Sequence, residues 1–213
     1  MREGRILFLP FVKISGLNRN HSIMNQPYID DQQFRAENFS SNALPLGEYE
    51  NCTFTGCSFS SASLSRRSFS ECEFIDCDLS NTAVSGTSFR DVSFKNCKLL
   101  GVRFDECSTF LLSFNFEDCI LNFSSFFKLK LKGTKFSNCK MEQVDFSEAD
   151  LSRAGFPRCE FSGAIFSNTN LESADFGTSS NFSLDPEINR IKKAKFSREN
   201  ISGLLDKYQI IIR

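Results

Sequence analysis

Between residues 34 and 176 an aromatic ring returns at a near-fixed interval. Phe34, Phe54, Phe74, Phe94, Phe116, Phe136, Phe156 and Phe176 lie 20 residues apart, except for one step of 22. Within each step an apolar residue recurs every five, as in Phe54, Phe59, Leu64, Phe69 and Phe74. A period of five matches neither the 3.6 of a helix nor the 2 of a strand. Self-similarity at this length marks a solenoid, in which each repeat buries its apolar residues against its neighbours. Four five-residue sides close one coil of 20, so one apolar centre per side points inward and the core is a stack of square layers.

Two positions before each centre stands a mostly small residue, such as Cys52, Ala62, Thr82, Val92, Ala149 or Ala174. The corners of a narrow core require small side chains there. The remaining positions are mostly Ser, Asn, Asp, Glu, Lys and Arg, which suits a solvated outer wall. Backbone groups then pair with the coils above and below in parallel ladders about 4.8 Å apart. All nine cysteines, Cys52, Cys57, Cys72, Cys77, Cys97, Cys107, Cys119, Cys139 and Cys159, fall on the small inward position. They read as buried, reduced core fillers. No Cys-x-x-Cys pair offers metal-ligand spacing, and stacked thiols point in parallel. No metal and no cofactor is expected, and reduced thiols imply a cytoplasmic protein.

At this level of detail the chain resembles the pentapeptide-repeat family. Ala149-Asp150-Leu151-Ser152-Arg153 and Ala174-Asp175-Phe176-Gly177-Thr178 fit that family's pattern of small residue, Asp or Asn, Leu or Phe, then two polar residues. Cys57-Ser58-Phe59-Ser60-Ser61 and Cys77-Asp78-Leu79-Ser80-Asn81 are cysteine versions of it. The resemblance implies an all-β fold, a right-handed quadrilateral parallel β-helix over residues 34–182. Residues 1–33 are then a lead-in or cap, with Met24 an alternative natural start. Residues 183–213 form a helix-and-strand tail.

Charge narrows the function. The whole chain carries −1. The repeat region holds 14 basic and 19 acidic residues, and the tail 7 basic and 4 acidic. A weakly acidic rod lacks the basic stripe that direct nucleic-acid binding uses. The single histidine, His21, lies outside the repeats. No Gly-rich phosphate loop or nucleophile-elbow motif appears. Carboxylates on a convex wall have no cleft to shift their pKa, so the chain reads as non-enzymatic, with no catalytic residues. The apolar run Arg5–Val12 is too short to cross a membrane.

The 22-residue step places two extra residues near Thr109–Asn115. Around it apolar residues occupy outward positions, which suggests a partner surface of Leu100, Phe110, Leu111, Leu112, Ile120, Phe123 and Phe127 beside Lys128 and Lys130. The alternative is that the bulge folds over the rest and covers them.

In the tail, Asp185-Pro186-Glu187 reads as a helix start running to about Ile191. Ser197 caps a second helix carrying Ile201, Leu204 and Leu205. Tyr208 to Arg213 reads as a strand. This tail is similar to that of the Qnr-type quinolone-resistance and microcin immunity proteins. The resemblance implies a homodimer through Ile201, Leu204, Leu205, Tyr208, Ile210, Ile211 and Ile212. It also implies a rod that imitates duplex DNA and binds the type II topoisomerase DNA gyrase. A scaffolding role with another protein partner stays open.

Overall fold

Each five-residue side is three extended residues and a corner, and the corner sets the coil. The structure is a computed structural model and describes residues 26–211. Arg5–Val12, His21 and Met24 lie outside the described residues, as do Ile212 and Arg213. Two residues after nearly every apolar centre the backbone enters the left-handed region, with φ of 50–63° at the non-glycine corners. Asn, Asp and Gly tolerate that conformation best. They hold many corners, among them Asn51, Gly56, Asp76, Asn81, Gly86, Asn96, Gly101 and Asn138. Each corner turns the chain onto the next side of the square.

The sides stack in register. On the first side, strands β2 (Gln33–Arg35), β4 (Thr53–Thr55), β6 (Glu73–Ile75), β8 (Val92–Lys95), β9 (Phe114–Glu117) and β10 (Phe136–Ser137) form one six-stranded parallel sheet. Their pairing aligns Phe34, Phe54, Phe74, Phe94, Phe116 and Phe136. Rings of this column, continued through Phe156, Phe176 and Phe196, lie 4.7–5.4 Å apart between successive centroids. Each such pair contributes about 0.5–1.5 kcal/mol beyond its buried area. The second side runs through Phe39, Phe59 and Leu79, and the third through Leu44, Leu64 and Val84, all buried. On the fourth side β1 (Tyr28–Asp30), β3 (Glu48–Glu50), β5 (Ser68–Ser70) and β7 (Ser88–Arg90) form a second parallel sheet. The ladder therefore begins at Tyr28, ahead of the expected boundary at 34. It reaches past 182 to β11 (Asp175–Phe176) paired with β12 (Lys195–Phe196).

The fifth coil departs from the pattern most on the fourth side. The fourth-side sheet stops at β7, and its bridges resume as Lys130↔Asp150, Asp150↔Asn170 and Asn170↔Arg190. Neither Thr109 nor Leu111 turns inward. Phe114 fills the vacated core instead, from a position that holds Cys52, Cys72 and Val92 in the coils above. Its ring meets those of Phe104 at 5.3 Å and Phe116 at 5.1 Å. An oversized residue at a small site thus compensates for a missing centre. The first and second sides continue unbroken, and on the third a 3-10 turn at Phe104–Glu106 interrupts the ladder between Ala83 and Arg103.

The tail differs from expectation in three places. The helix from Asp185 to Ile191 is a single turn at 186–188. Asp185 does cap it, its Oδ1 accepting from the Glu187 amide at 2.8 Å. The helix stops because Asn189 belongs to the coil. Its side chain accepts from the Thr169 amide at 2.8 Å and donates to the Phe166 carbonyl at 2.9 Å, while the Arg190 amide donates to Thr169. The second helix is two 3-10 turns, Ile201–Leu204 and Asp206–Tyr208. Gly203 lies against Phe182, where a Cβ would come within 2.0 Å of the Phe182 carbonyl oxygen, and its own carbonyl accepts from Leu184. The expected strand from Tyr208 is absent among the described residues. Tyr208 closes the last 3-10 turn, and Gln209 at φ 50° bends the chain out of the extended region.

Candidate interaction surface

The predicted partner residues do not form one patch. Leu100, Ile120 and Phe123 lie on or at the corner of the second side, as the bridges Lys98↔Ile120 and Ile120↔Lys140 place them. Phe127 and Lys128 lie on the third side. Phe110, Leu111, Leu112 and Lys130 lie on the fourth, opposite the second. Exposure separates them further. Phe110 is 67% exposed, Leu111 63% and Phe123 53%, whereas Leu112 packs partly against the core. The bulge therefore projects and covers none of the second-side residues. Lys128 places its Nζ 4.7 Å from the Phe127 ring centroid and pairs with Glu148 at 3.3 Å. The Arg90 guanidinium lies 5.7 Å from the Phe110 ring centroid.

The cysteines are buried and free. Because the 22-residue step keeps the first side in register, Cys57, Cys77, Cys97, Cys119, Cys139 and Cys159 form one continuous column. Most donate their S–H to the carbonyl of the phenylalanine one coil above, as Cys77 does to Phe54 at 3.3 Å and Cys159 to Phe136 at 3.2 Å. Contacts with Cys119 and Cys77, then burial, push the Cys97 thiol far above its ordinary range. Burial does the same to Cys107. The neighbouring thiols pull Cys77 and Cys119 the other way. A thiolate there would face carbonyl oxygens in an apolar core, so the column as a whole stays protonated. Among the described residues no group of three or more His, Cys, Asp or Glu side chains converges to hold a metal.

Sequence reasoning missed Arg67, which occupies a small inward position and is 7% exposed. It has no carboxylate partner among the described residues. Its guanidinium donates to the carbonyls of Leu44 at 2.9 Å, Pro45 at 3.1 Å and Ser65 at 3.2 Å. The Tyr49 hydroxyl adds a 2.7 Å bond to Pro45. Together they fasten the irregular first corner to the second and third coils.

Two matches to a single family profile, pentapeptide repeat region, span residues 48–115 and 111–182 and together cover more than half of the chain. The chain belongs to the pentapeptide-repeat family. No curated protein matches it in sequence. Among solved structures it is similar to the plasmid-mediated fluoroquinolone resistance protein QnrB1. One trypsin-treated variant of that protein matches with a TM-score of 0.58 at 20% identity, over 87% of this chain and 97% of that one. A second trypsin-treated variant matches at 0.53 and 21%, over 86% and 99%. At this identity the likeness is one of fold.

This pentapeptide-repeat rod ends in an apolar tail. Ile201 is 49% exposed, Tyr208 51%, Ile210 56% and Ile211 84%, while Leu204 and Leu205 are half-buried. Ile212 lies outside the described residues. Lys207 ties the tail to the last coil through Asp185 at 2.7 Å and Glu187 at 2.6 Å. The Tyr208 hydroxyl adds a 2.8 Å bond to Glu187. No helix of the described residues is long and apolar enough to cross a membrane.

Proposed function

We propose that the protein is a non-enzymatic, rod-shaped interaction module of the bacterial cytoplasm. It binds DNA gyrase or another type II topoisomerase and shields it from quinolone- or microcin-like inhibitors. The observation that carries this reading is a match in shape over 97% of a fluoroquinolone resistance protein, QnrB1. Coils at about 4.8 Å make a rod near 40 Å per chain. Pairing two chains through Ile201, Leu204, Leu205, Tyr208, Ile210, Ile211 and Ile212 doubles that length, toward the dimensions of a duplex segment. The exposed isoleucines of the tail support the pairing.

The charge on the fourth side favours a second reading. An imitation of DNA wants an unbroken acidic stripe, yet that side turns basic in its C-terminal half through Lys130, Lys132, Arg153, Arg190, Lys192 and Lys193. A scaffolding protein with another protein partner accommodates such a division. Supercoiling by purified gyrase, titrated with the protein in the presence of a fluoroquinolone, separates the two. The first reading predicts that supercoiling is restored as the protein approaches the enzyme's concentration. Supercoiling unchanged with and without drug, at a large excess of protein, leaves the scaffold.

A further inference from the structure

We infer that two copies of this chain associate side by side and antiparallel through their fourth sides, about a two-fold axis at the Phe110–Leu111 bulge. Three independent observations meet on that side. The first is symmetry of layout. Four coils precede the break, centred on Ile29, Tyr49, Phe69 and Phe89, and four follow it, centred on Leu131, Leu151, Leu171 and Ile191. The second is the charge. The outward residues of the leading half carry six carboxylates, Asp30, Asp31, Glu48, Glu50, Glu71 and Asp91, against Arg90. Those of the trailing half carry six cations, Lys130, Lys132, Arg153, Arg190, Lys192 and Lys193, against Asp150 and Glu172. The third is the projecting apolar pair, Phe110 and Leu111, at the midpoint.

A two-fold axis through the bulge sets each half of one rod against the opposite half of its partner. Asp30 and Asp31 then face Lys192 and Lys193, Glu71 faces Arg153, and Asp91 faces Lys130 and Lys132. The two bulges meet on the axis, where an isologous interface brings a residue against its own copy. These charges are available. Among the described residues Lys130, Lys132, Arg153, Lys192 and Lys193 make no ion pair, nor do the six carboxylates. Two like-charge meetings remain, Glu50 with Glu172 and Arg90 with the Lys130 coil. Glu172 is already held by Arg190 at 2.8 Å, and Arg90 lies beside the Phe110 ring. A parallel side-by-side pairing would set like charge against like along the whole face, which is strongly disfavoured.

The test uses two full-length charge-swapped proteins. Asp30→Lys with Asp31→Lys makes both ends of the face basic, and Lys192→Glu with Lys193→Glu makes both acidic. Sedimentation at low salt is expected to show a dimer for the unaltered chain. Each variant alone is expected to dissociate with a Kd at least about tenfold higher, and an equimolar mixture is expected to restore the dimer. High salt weakens this association, whereas one held by the apolar tail persists. Under mild copper–phenanthroline oxidation, Phe110→Cys is expected to give a disulfide-linked dimer, and Asn122→Cys, on the opposite side of the same coil, none. A monomer at low salt overturns the proposal. So does a mixture no more associated than its components, or Phe110→Cys linking no better than Asn122→Cys. A salt-insensitive dimer with no Phe110→Cys link removes the lateral pairing and leaves the tail interface standing.

Discussion

At the residue scale the core is decided by stacked rings and tightly turned corners. Phe136 is fully buried between Phe116 at 5.2 Å and Phe156 at 5.3 Å. Truncation to alanine opens a cavity in the middle of the stack, where neighbours above and below hold their places. Phe136→Ala is expected to cost about 3–5 kcal/mol in denaturant unfolding. A loss below about 1 kcal/mol would show that the stack collapses to fill the gap. Phe123 presents the opposite case. It is 53% exposed and sits at a corner with φ of 63°, a conformation that costs a bulky residue energy and that Asn tolerates. Asn81 holds the equivalent corner two coils above. Phe123→Asn is therefore expected to stabilise the fold by about 0.5–1 kcal/mol. A destabilising result would mean that the ring is covered in the assembled protein. The inward residues were legible in the sequence because each obeys one spacing. Arg67 was not, because it breaks the rule of small residues at its position and is retained by carbonyls that only the fold brings near.

At the element scale the regular sides follow from the pattern, while the break and the tail do not. The sequence locates two extra residues but not the coil's remedy, a phenylalanine placed where its neighbours have Cys or Val. Removing Thr109 and Phe110 restores the spacing, with Leu111 five residues after Phe104, but Phe114 then overfills the core. The deletion combined with Phe114→Val is expected to be at least as stable as the unaltered chain. Phe114→Val alone is expected to lose about 2–4 kcal/mol. Additive effects of the two changes in unfolding experiments would contradict the compensation. The tail was misread because capping and apolar spacing describe local preference. Asn189, bound into the ladder, and Gly203, pressed on Phe182, instead commit those segments to the last coil.

Docking of the tail should also depend on pH. The ammonium of Lys207 first, then the backbone amide of Glu187, hold the Asp185 carboxyl below its ordinary range. Lys207 and then Tyr208 do the same for Glu187. Carboxyls depressed in the folded state contribute stability above their unfolded pKa of about 4 and lose it as the pH falls through the folded value. Protease cleavage after the last coil is expected to be slow near neutrality and to quicken in acid. A full-length chain carrying Lys207→Met should be cut readily at either pH, and equal resistance would show that the clamp holds nothing.

At the scale of the whole molecule, the shape was legible and the distribution of charge was not. Net charge and the composition of the repeat region describe a weakly acidic rod with mixed faces. Only sorting the outward residues by side separates the acidic from the basic half of the fourth side. That sorting needs the break in the fifth coil to be placed on one side and not another. The thiols belong to this scale too, since a continuous column of six buried S–H groups forms only if the stack is intact. A thiol reagent is expected to label the folded protein slowly and all nine cysteines after denaturation. Rapid labelling at neutral pH would mean that coils open locally.

In the proposed function the rod acts by occupying the DNA-binding surface of a type II topoisomerase. Co-sedimentation with purified gyrase subunits, with and without an excess of linear duplex DNA, tests that claim most directly. The protein is expected to travel with gyrase and to be displaced by the duplex. If it sediments alone at concentrations well above those of the enzyme, or binds equally whether or not DNA is present, it does not act as an imitation of DNA.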